Sequence, residues 1–169
     1  MAEETQFLVN PYNDPVIIQL NGKASFMNSA PLKGFFSRMI EQGKRNFVVD
    51  FDRCKGMDST FLGILAGLGI ELMKMEEPGS VVLTRLGERN LELVRNLGLH
   101  RIMTVDDGQL DTSSEGESEA LELTEAQRGE VENARLVLQA HENLAEIDES
   151  NKTKFQDVIS FLKNQMDEA

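Results

Sequence analysis

The sequence contains no tryptophan, one tyrosine and one cysteine, Cys54. A single thiol cannot close an intramolecular disulfide, so packing must hold the fold, and such cysteine usage fits a reducing compartment. The two histidines, His100 and His141, stand far from each other and from Cys54. No metal-ligand spacing results, and neither a metal nor a cofactor is expected. Long apolar runs are missing too: nothing approaches the ~20 residues that span a bilayer. The opening "MAEETQFLVN" carries acids where a secretory leader would be basic and then apolar. A soluble cytoplasmic protein without a membrane partner is the expectation. Clustered basic charge is the last absence. Residues 1–105 hold 12 Lys/Arg and 12 Asp/Glu, whereas residues 106–169 hold 5 and 17, so the whole net charge of −12 lies in the last third. Phosphate neutralisation needs clustered Lys/Arg, so direct nucleic-acid binding is disfavoured. The acidic surface suits solvation, or a basic protein partner.

What is present is a chain long enough, at 169 residues with 40% hydrophobic content, for one domain with a core plus an extension. "TQFLVN" and "VIIQLNG" read as strands around the turn "PYNDP". "NSAPLKGFFSRMIEQG" reads as a helix, with Leu32, Phe35, Phe36, Met39 and Ile40 at spacings of three and four and Gly43 to end it. "NFVVDF" is a short buried strand. "DSTFLGILAGLGIELMKM" is apolar for most of its length and predicts a deeply packed helix. "SVVLTRL" is a strand, "ERNLELVRNLGLH" a helix with Leu91, Val94 and Leu97 on one face, and "RIMTV" a final strand. The order β-β-α-β-α-β-α-β implies an α/β fold with crossover connections and a sheet covered on at least one face. Domain 1–105 is followed by a polar, acidic linker, 106–119, expected to be mobile for want of apolar surface. Beyond it, Thr124 and Gln127 suggest a capping box. Val131, Ala134, Leu138, His141 and Ala145, widened by Val137 and Leu144, form one apolar stripe; Phe155, Val158, Ile159, Leu162 and Met166 form another. With "DESN" breaking the run, residues 120–169 predict a helical hairpin.

The stretch "MDSTFLG", 57–63, concentrates the chemistry. Asp58 or Ser59 can cap a helix that begins there, and the free N–H groups and macrodipole of a helix start also favour an added phosphate. A phosphoryl group on Ser59 would bring ~1.5–2 negative charges beside Asp58 without refolding the backbone. A nucleophilic Ser59 would need a base and an orienting group; His100 and His141 read instead as a helix-end and a semi-buried residue. The glycines of "LGILAGLG" lie inside a helix pattern, where they allow close helix–sheet packing and form no phosphate loop.

"FVVDF", "MDSTFLGILAGL" and "SVVLTRLGERNLELVRNLGLHRIMTV" together resemble the STAS domain of anti-sigma-factor antagonists over about residues 5–105. Asp58-Ser59-Thr60, Leu62 and Gly63 match the family's Asp-Ser-Ser/Thr-Gly-Leu-Gly core. Gly98-Leu99 matches the pair closing the next helix, and Gly22 the glycine after the second strand. The resemblance implies a small mixed sheet with helices largely on one side. It implies a partner switch without catalysis of its own. Ser59, or Thr60 as the alternative, would be phosphorylated by a serine kinase that is itself an anti-sigma factor. The unphosphorylated protein would bind that kinase and free a sigma factor, and a PP2C-type phosphatase would reset the cycle. Asp58, Phe61, Leu62, Gly22 and Ser25 would lie at the partner surface. Three departures stand out. Phe61 replaces the family's first Gly and would crowd a kinase. Gly56 stands where a bulkier residue usually precedes Met-Asp, so either Phe61 compensates for it or the loop packs differently. Gly22-Lys23-Ala24-Ser25 lacks the acid of the family's Gly-x-x-Asp.

The competing reading is a constitutive interaction or dimerisation module with Ser59 only a helix N-cap; a small-ligand or lipid pocket has fold analogy alone behind it. The tail is expected to be a structural element, covering a face or joining a homodimer through its helices. The alternative is a regulatory element that competes with the partner for one surface.

Overall fold

Strand β1 (Gln6–Asn10) pairs antiparallel with β2 (Val16–Ala24), which sets Phe7 opposite Leu20 and Val9 opposite Ile18. β2 then runs parallel to β3 (Asn46–Asp50), and β3 to β5 (Ser80–Thr84). The register puts Val16, Phe47 and Val81 in one row and Ile18, Val49 and Leu83 in the next. Side chains alternate along a strand, so these rows form one face, and every member is buried. β6 (Thr104–Asp106) adds parallel to β5. The computed structural model describes residues 5–110, 118–121 and 129–167. Among them the sheet has seven strands in the order β6-β5-β3-β2-β1-β7, with β4 paired to β2.

Helices α1 (Ser29–Glu41), α2 (Ser59–Met73) and α3 (Glu88–Asn96) supply the crossovers. α1 buries Leu32, Phe35, Phe36, Met39 and Ile40, the five residues its periodicity marks. α3 buries Val94, and Leu97 just beyond it, with Leu91 half-buried. The helices lie largely on one side of the mixed sheet, over the Phe47/Val49 rows, which share a single core with α1 and α2.

Two strands have no counterpart in the sequence reading. β4 (Cys54–Met57) pairs parallel with the second half of β2, after a register shift between Gly22 and Lys23. Gly22 makes the shift: its φ is +95°, a region costly for residues with a Cβ, and a Cβ there would lie 2.7 Å from Thr5 Oγ1. β7 (Glu119–Leu121) pairs antiparallel with β1, on the sheet edge opposite β6. The acidic linker therefore starts in one edge strand and ends in the other; residues 111–117, and the capping box expected at Thr124 and Gln127, lie outside the described residues. The strand expected over "RIMTV" is shorter than read, because a 3-10 turn, Leu99–Arg101, follows Gly98.

The tail forms α4 (Glu130–Ile147), α5 (Glu149–Lys154) and α6 (Gln156–Asp167). "DESN" begins a helix as much as it ends one. Asp148 caps α5, its side chain accepting from Ser150 N–H at 3.0 Å. α4 has two apolar faces where one was read. Ala134 and Leu138 meet Leu162 of α6 in a small separate cluster, whereas Leu136, Ala140 and Leu144 join the main core.

Candidate functional site

α2 begins at Ser59, and its cap is Asp58. One carboxylate oxygen of Asp58 accepts the Phe61 N–H at 2.9 Å, and the other accepts the Phe26 N–H at 2.8 Å. Asp58 thus ties the helix start to the turn at residues 25–28. This corrects the reading of Ser59 as the N-cap: the extended backbone belongs to Asp58, so Ser59 is the first helical residue and its hydroxyl is not used for capping.

That hydroxyl meets the tail. Ser59 Oγ lies 2.8 Å from His141 Nε2, and His141 Nδ1 lies 2.7 Å from the Val137 carbonyl. A carbonyl only accepts, so Nδ1 carries the proton, and in the neutral ring Nε2 accepts from the Ser59 O–H. The order Ser–His–acceptor resembles an activated nucleophile. Here, however, the third group is a carbonyl of α4 itself, and His141 is 4% exposed with Phe155 edge-on at 4.8 Å. The geometry is that of a tie between two helices.

The other expected residues separate into surface and core. Ser59 is half-buried, while Thr60 is 4% exposed. Phe61 and Leu62, expected at the partner surface, are buried, Phe61 packing edge-on to Phe51 with centroids 6.4 Å apart. Phe61 therefore crowds nothing outside the domain, and it does not compensate for Gly56, where a Cβ would meet nothing within 4 Å. Gly22 bends β2. Ser25 is buried and shapes the adjoining turn: its N–H donates to Asn28 Oδ1 at 2.9 Å, and its hydroxyl accepts from Met27 N–H at 3.3 Å. This turn thrusts Phe26 and Met27 outward, each 54% exposed. They were missed by sequence reasoning; the available signal was two large apolar residues inside "ASFMNS", a polar turn between strand and helix. His100 is exposed on the 3-10 turn, remote in sequence and contact from Ser59.

The outer face of α2 is shaped for α4. A Cβ on Gly63 would lie 2.2 Å from the Ala140 carbonyl oxygen, and one on Gly67 2.6 Å from Asn143 Nδ2. Gly63 and Gly67 thus serve helix–helix rather than helix–sheet approach, whereas Gly69 faces Ile102 and Met103 just before β6. Asn143 also donates to the Gly63 carbonyl at 3.1 Å. At the far end, buried Asn151 donates to the carbonyls of Leu97 and Leu144, both at 2.8 Å, and Arg101 pairs with Asp148 at 3.5 Å. Hydrogen bonds from Ser150, with help from Arg101 and Lys154, hold the Asp148 carboxyl below its usual range. The Thr84 hydroxyl does the same for Asp106 at the end of β6. Burial pushes the Cys54 thiol up, which keeps it protonated at neutral pH.

The STAS domain family model matches residues 6–114. The chain belongs to the STAS-domain family. Two solved structures share its fold. The anti-sigma factor antagonist SpoIIAA in its unphosphorylated form is 22% identical, with a TM-score of 0.51 over 61% of this chain and 89% of that one. The Bacillus cell fate determinant SpoIIAA in the phosphorylated form is 22% identical, with a TM-score of 0.50 over 60% and 91%. No curated protein matches the chain. The hairpin α4–α6 lies beyond the matched STAS residues. Among the described residues no helix is long and apolar enough to cross a membrane.

Proposed function

We propose that this STAS protein is a phosphorylation-controlled partner switch of the anti-sigma-factor antagonist type, with Ser59 as phosphoacceptor. The observation that carries it is the division of labour at the start of α2. Asp58 does the capping and Thr60 is sealed, so the one hydroxyl at this helix start outside the core and free of capping is that of Ser59, half-buried against the tail. The turn with exposed Phe26 and Met27 is bonded to that same cap. SpoIIAA, which shares the fold, is known in unphosphorylated and phosphorylated forms.

In the reaction, Ser59 Oγ attacks the γ-phosphorus of a nucleoside triphosphate. The Oγ–P bond forms, the bond to the bridging oxygen breaks, the diphosphate leaves, and a base on the kinase takes the hydroxyl proton. A phosphatase reverses the state by hydrolysis. The chain supplies an acceptor and a binding surface rather than catalysis. Added charge sits at the positive end of a 15-residue helix, which tolerates it, while the apolar patch at Phe26 and Met27 loses complementarity to a partner fitted to the neutral form. The partner is an anti-sigma factor with serine-kinase activity, and a PP2C-type phosphatase restores the neutral form.

The test is partner binding by Ser59→Asp and Ser59→Ala, with phosphorylation by the cognate kinase mapped by mass spectrometry. Ser59→Asp should weaken binding by ~2 kcal/mol or more if the site is desolvated in the complex, and Ser59→Ala should bind but resist modification. Equal binding by wild type and Ser59→Asp would instead leave a constitutive docking module, in which the Ser59–His141 bond is a fixed structural tie.

A further inference from the structure

Three observations meet on the contact between α2 and α4. The hydroxyl of Ser59 is engaged by His141 from the tail. The backbones approach so closely at Gly63 and Ala140 that no side-chain atom fits between them. The hairpin also has a cluster of its own, Ala134 and Leu138 against Leu162, apart from the STAS core. A body with its own internal contacts can leave a surface as a unit, and α4 reaches the main core chiefly through Leu136, Ala140 and Leu144.

We propose that the C-terminal hairpin is an intramolecular cap on the Ser59 face, and that a docked hairpin and a phosphoryl group on Ser59 exclude one another, with His141 as the latch. The proposal rests on the reading of Ser59 as phosphoacceptor. With Nε2 at 2.8 Å from Oγ, the imidazole occupies the space that phosphorus and its three free oxygens would need. On that side His141 is 4% exposed with Phe155 edge-on to it, a poor setting for ~1.5–2 negative charges, and Asp58 beside them adds like charge. In the docked state the Ser59 hydroxyl hydrogen is also engaged by His141 beneath α4, where a kinase's own base has no room to take it. Undocking frees the hydroxyl and bares the groove at Gly63 and Gly67. Phosphorylation then keeps the hairpin off. Hydrolysis lets it return at the high effective concentration of a tethered segment.

The experiment uses the full chain with phosphoserine incorporated at position 59 during translation, which needs no kinase. Hydrogen exchange of α4 amides is compared with that of the unmodified protein and of Ala140→Glu, where a carboxylate is driven into the Gly63 contact. The expected result is α4 exchange raised about tenfold or more by phosphoserine, approaching Ala140→Glu, with β3 and β5 still protected in both. His141→Ala, which removes the latch and spares the backbone contact, should give an intermediate rise. Unchanged α4 protection in the phosphoserine protein would overturn the cap. A second arm treats wild type and Ala140→Glu with a purified anti-sigma-type serine kinase and ATP. Faster modification of Ala140→Glu supports the cap, and equal rates overturn it. Modification of neither, with α4 released by the incorporated phosphoserine, supports the exclusion and overturns Ser59 as a kinase substrate.

Discussion

Substituting Gly63 by alanine puts the helix contact under a test with two signs. The new Cβ would lie 2.2 Å from the Ala140 carbonyl oxygen, 2.5 Å from its carbon and 2.6 Å from its Cβ. Two of those atoms are backbone, so no rotamer change relieves the overlap and α4 itself must retreat. Forcing an extra methyl into a packed contact costs about 1–3 kcal/mol, here charged to docking of the hairpin. Exchange of α4 amides should therefore accelerate by roughly 5- to 150-fold. The same substitution favours α2 as a helix by about 1 kcal/mol, since alanine is the better helix former. In the Ala140→Glu background, where the hairpin is already displaced, Gly63→Ala should raise stability to chemical denaturation by up to that amount. Both readouts come from the full chain, and a double-mutant cycle separates them. Intact α4 protection in Gly63→Ala, or an equal loss of stability in both backgrounds, would refute the account of this interface.

Two further expectations concern the ends of the site. Asp58→Ala removes the α2 cap and the acceptor for Phe26 N–H together. It should cost about 0.5–2 kcal/mol in denaturant titration and speed exchange at residues 26–28, with Asp58→Asn recovering part of both; an unchanged midpoint would contradict the cap. Asp148 has a folded pKa below its unfolded value because Ser150 hydrogen bonds favour the carboxylate. Its contribution is complete above the unfolded value, near ~3.9, and is lost as pH falls through the lower folded one. The joint between α4 and α5 should loosen only in acid, seen in the Ser150 amide by NMR, and Asp148→Asn should abolish that acid dependence.

The STAS portion was legible because its signals are local and repeated. The spacing of Leu32, Phe35, Phe36, Met39 and Ile40 fixes the buried face of α1, and "NFVVD" is short, branched and apolar as a buried parallel strand must be. β4 and β7 escaped because "CKGM" and "EAL" are short and carry no branched apolar run. Ser59 was legible as a helix start, but not as a residue one step inside the cap: Asp and Ser are both good caps, and only the bond from Phe61 N–H to Asp58 decides between them. The Ser59–His141 contact spans 82 residues, and no local pattern encodes such a pairing. One trace of it was there to be read. Leu136, Ala140 and Leu144 form an i, i+4 row on α4 beside the stripe of Ala134 and Leu138, and a helix with two apolar faces needs neighbours on both sides.

α2 had declared the same need from the other side. A helix laid on one face of a sheet should keep a polar outer stripe. α2 instead buries ten of its 15 residues, including Gly63, Ile64 and Leu68. Such a helix gains from a second cover, and in this chain α4 provides it. Because Ser59 opens that helix, a charge placed there acts on whatever covers the outer face. In the structure that cover is the hairpin, and in the proposed switch the partner docks beside it, on the Phe26 and Met27 turn bonded to the same cap. The hairpin already claims the few ångströms around the Ser59 hydroxyl, through His141. If hairpin docking and the phosphoryl group exclude one another as proposed, the factor by which a phosphate on Ser59 weakens docking is the factor by which docking disfavours the phosphorylated form.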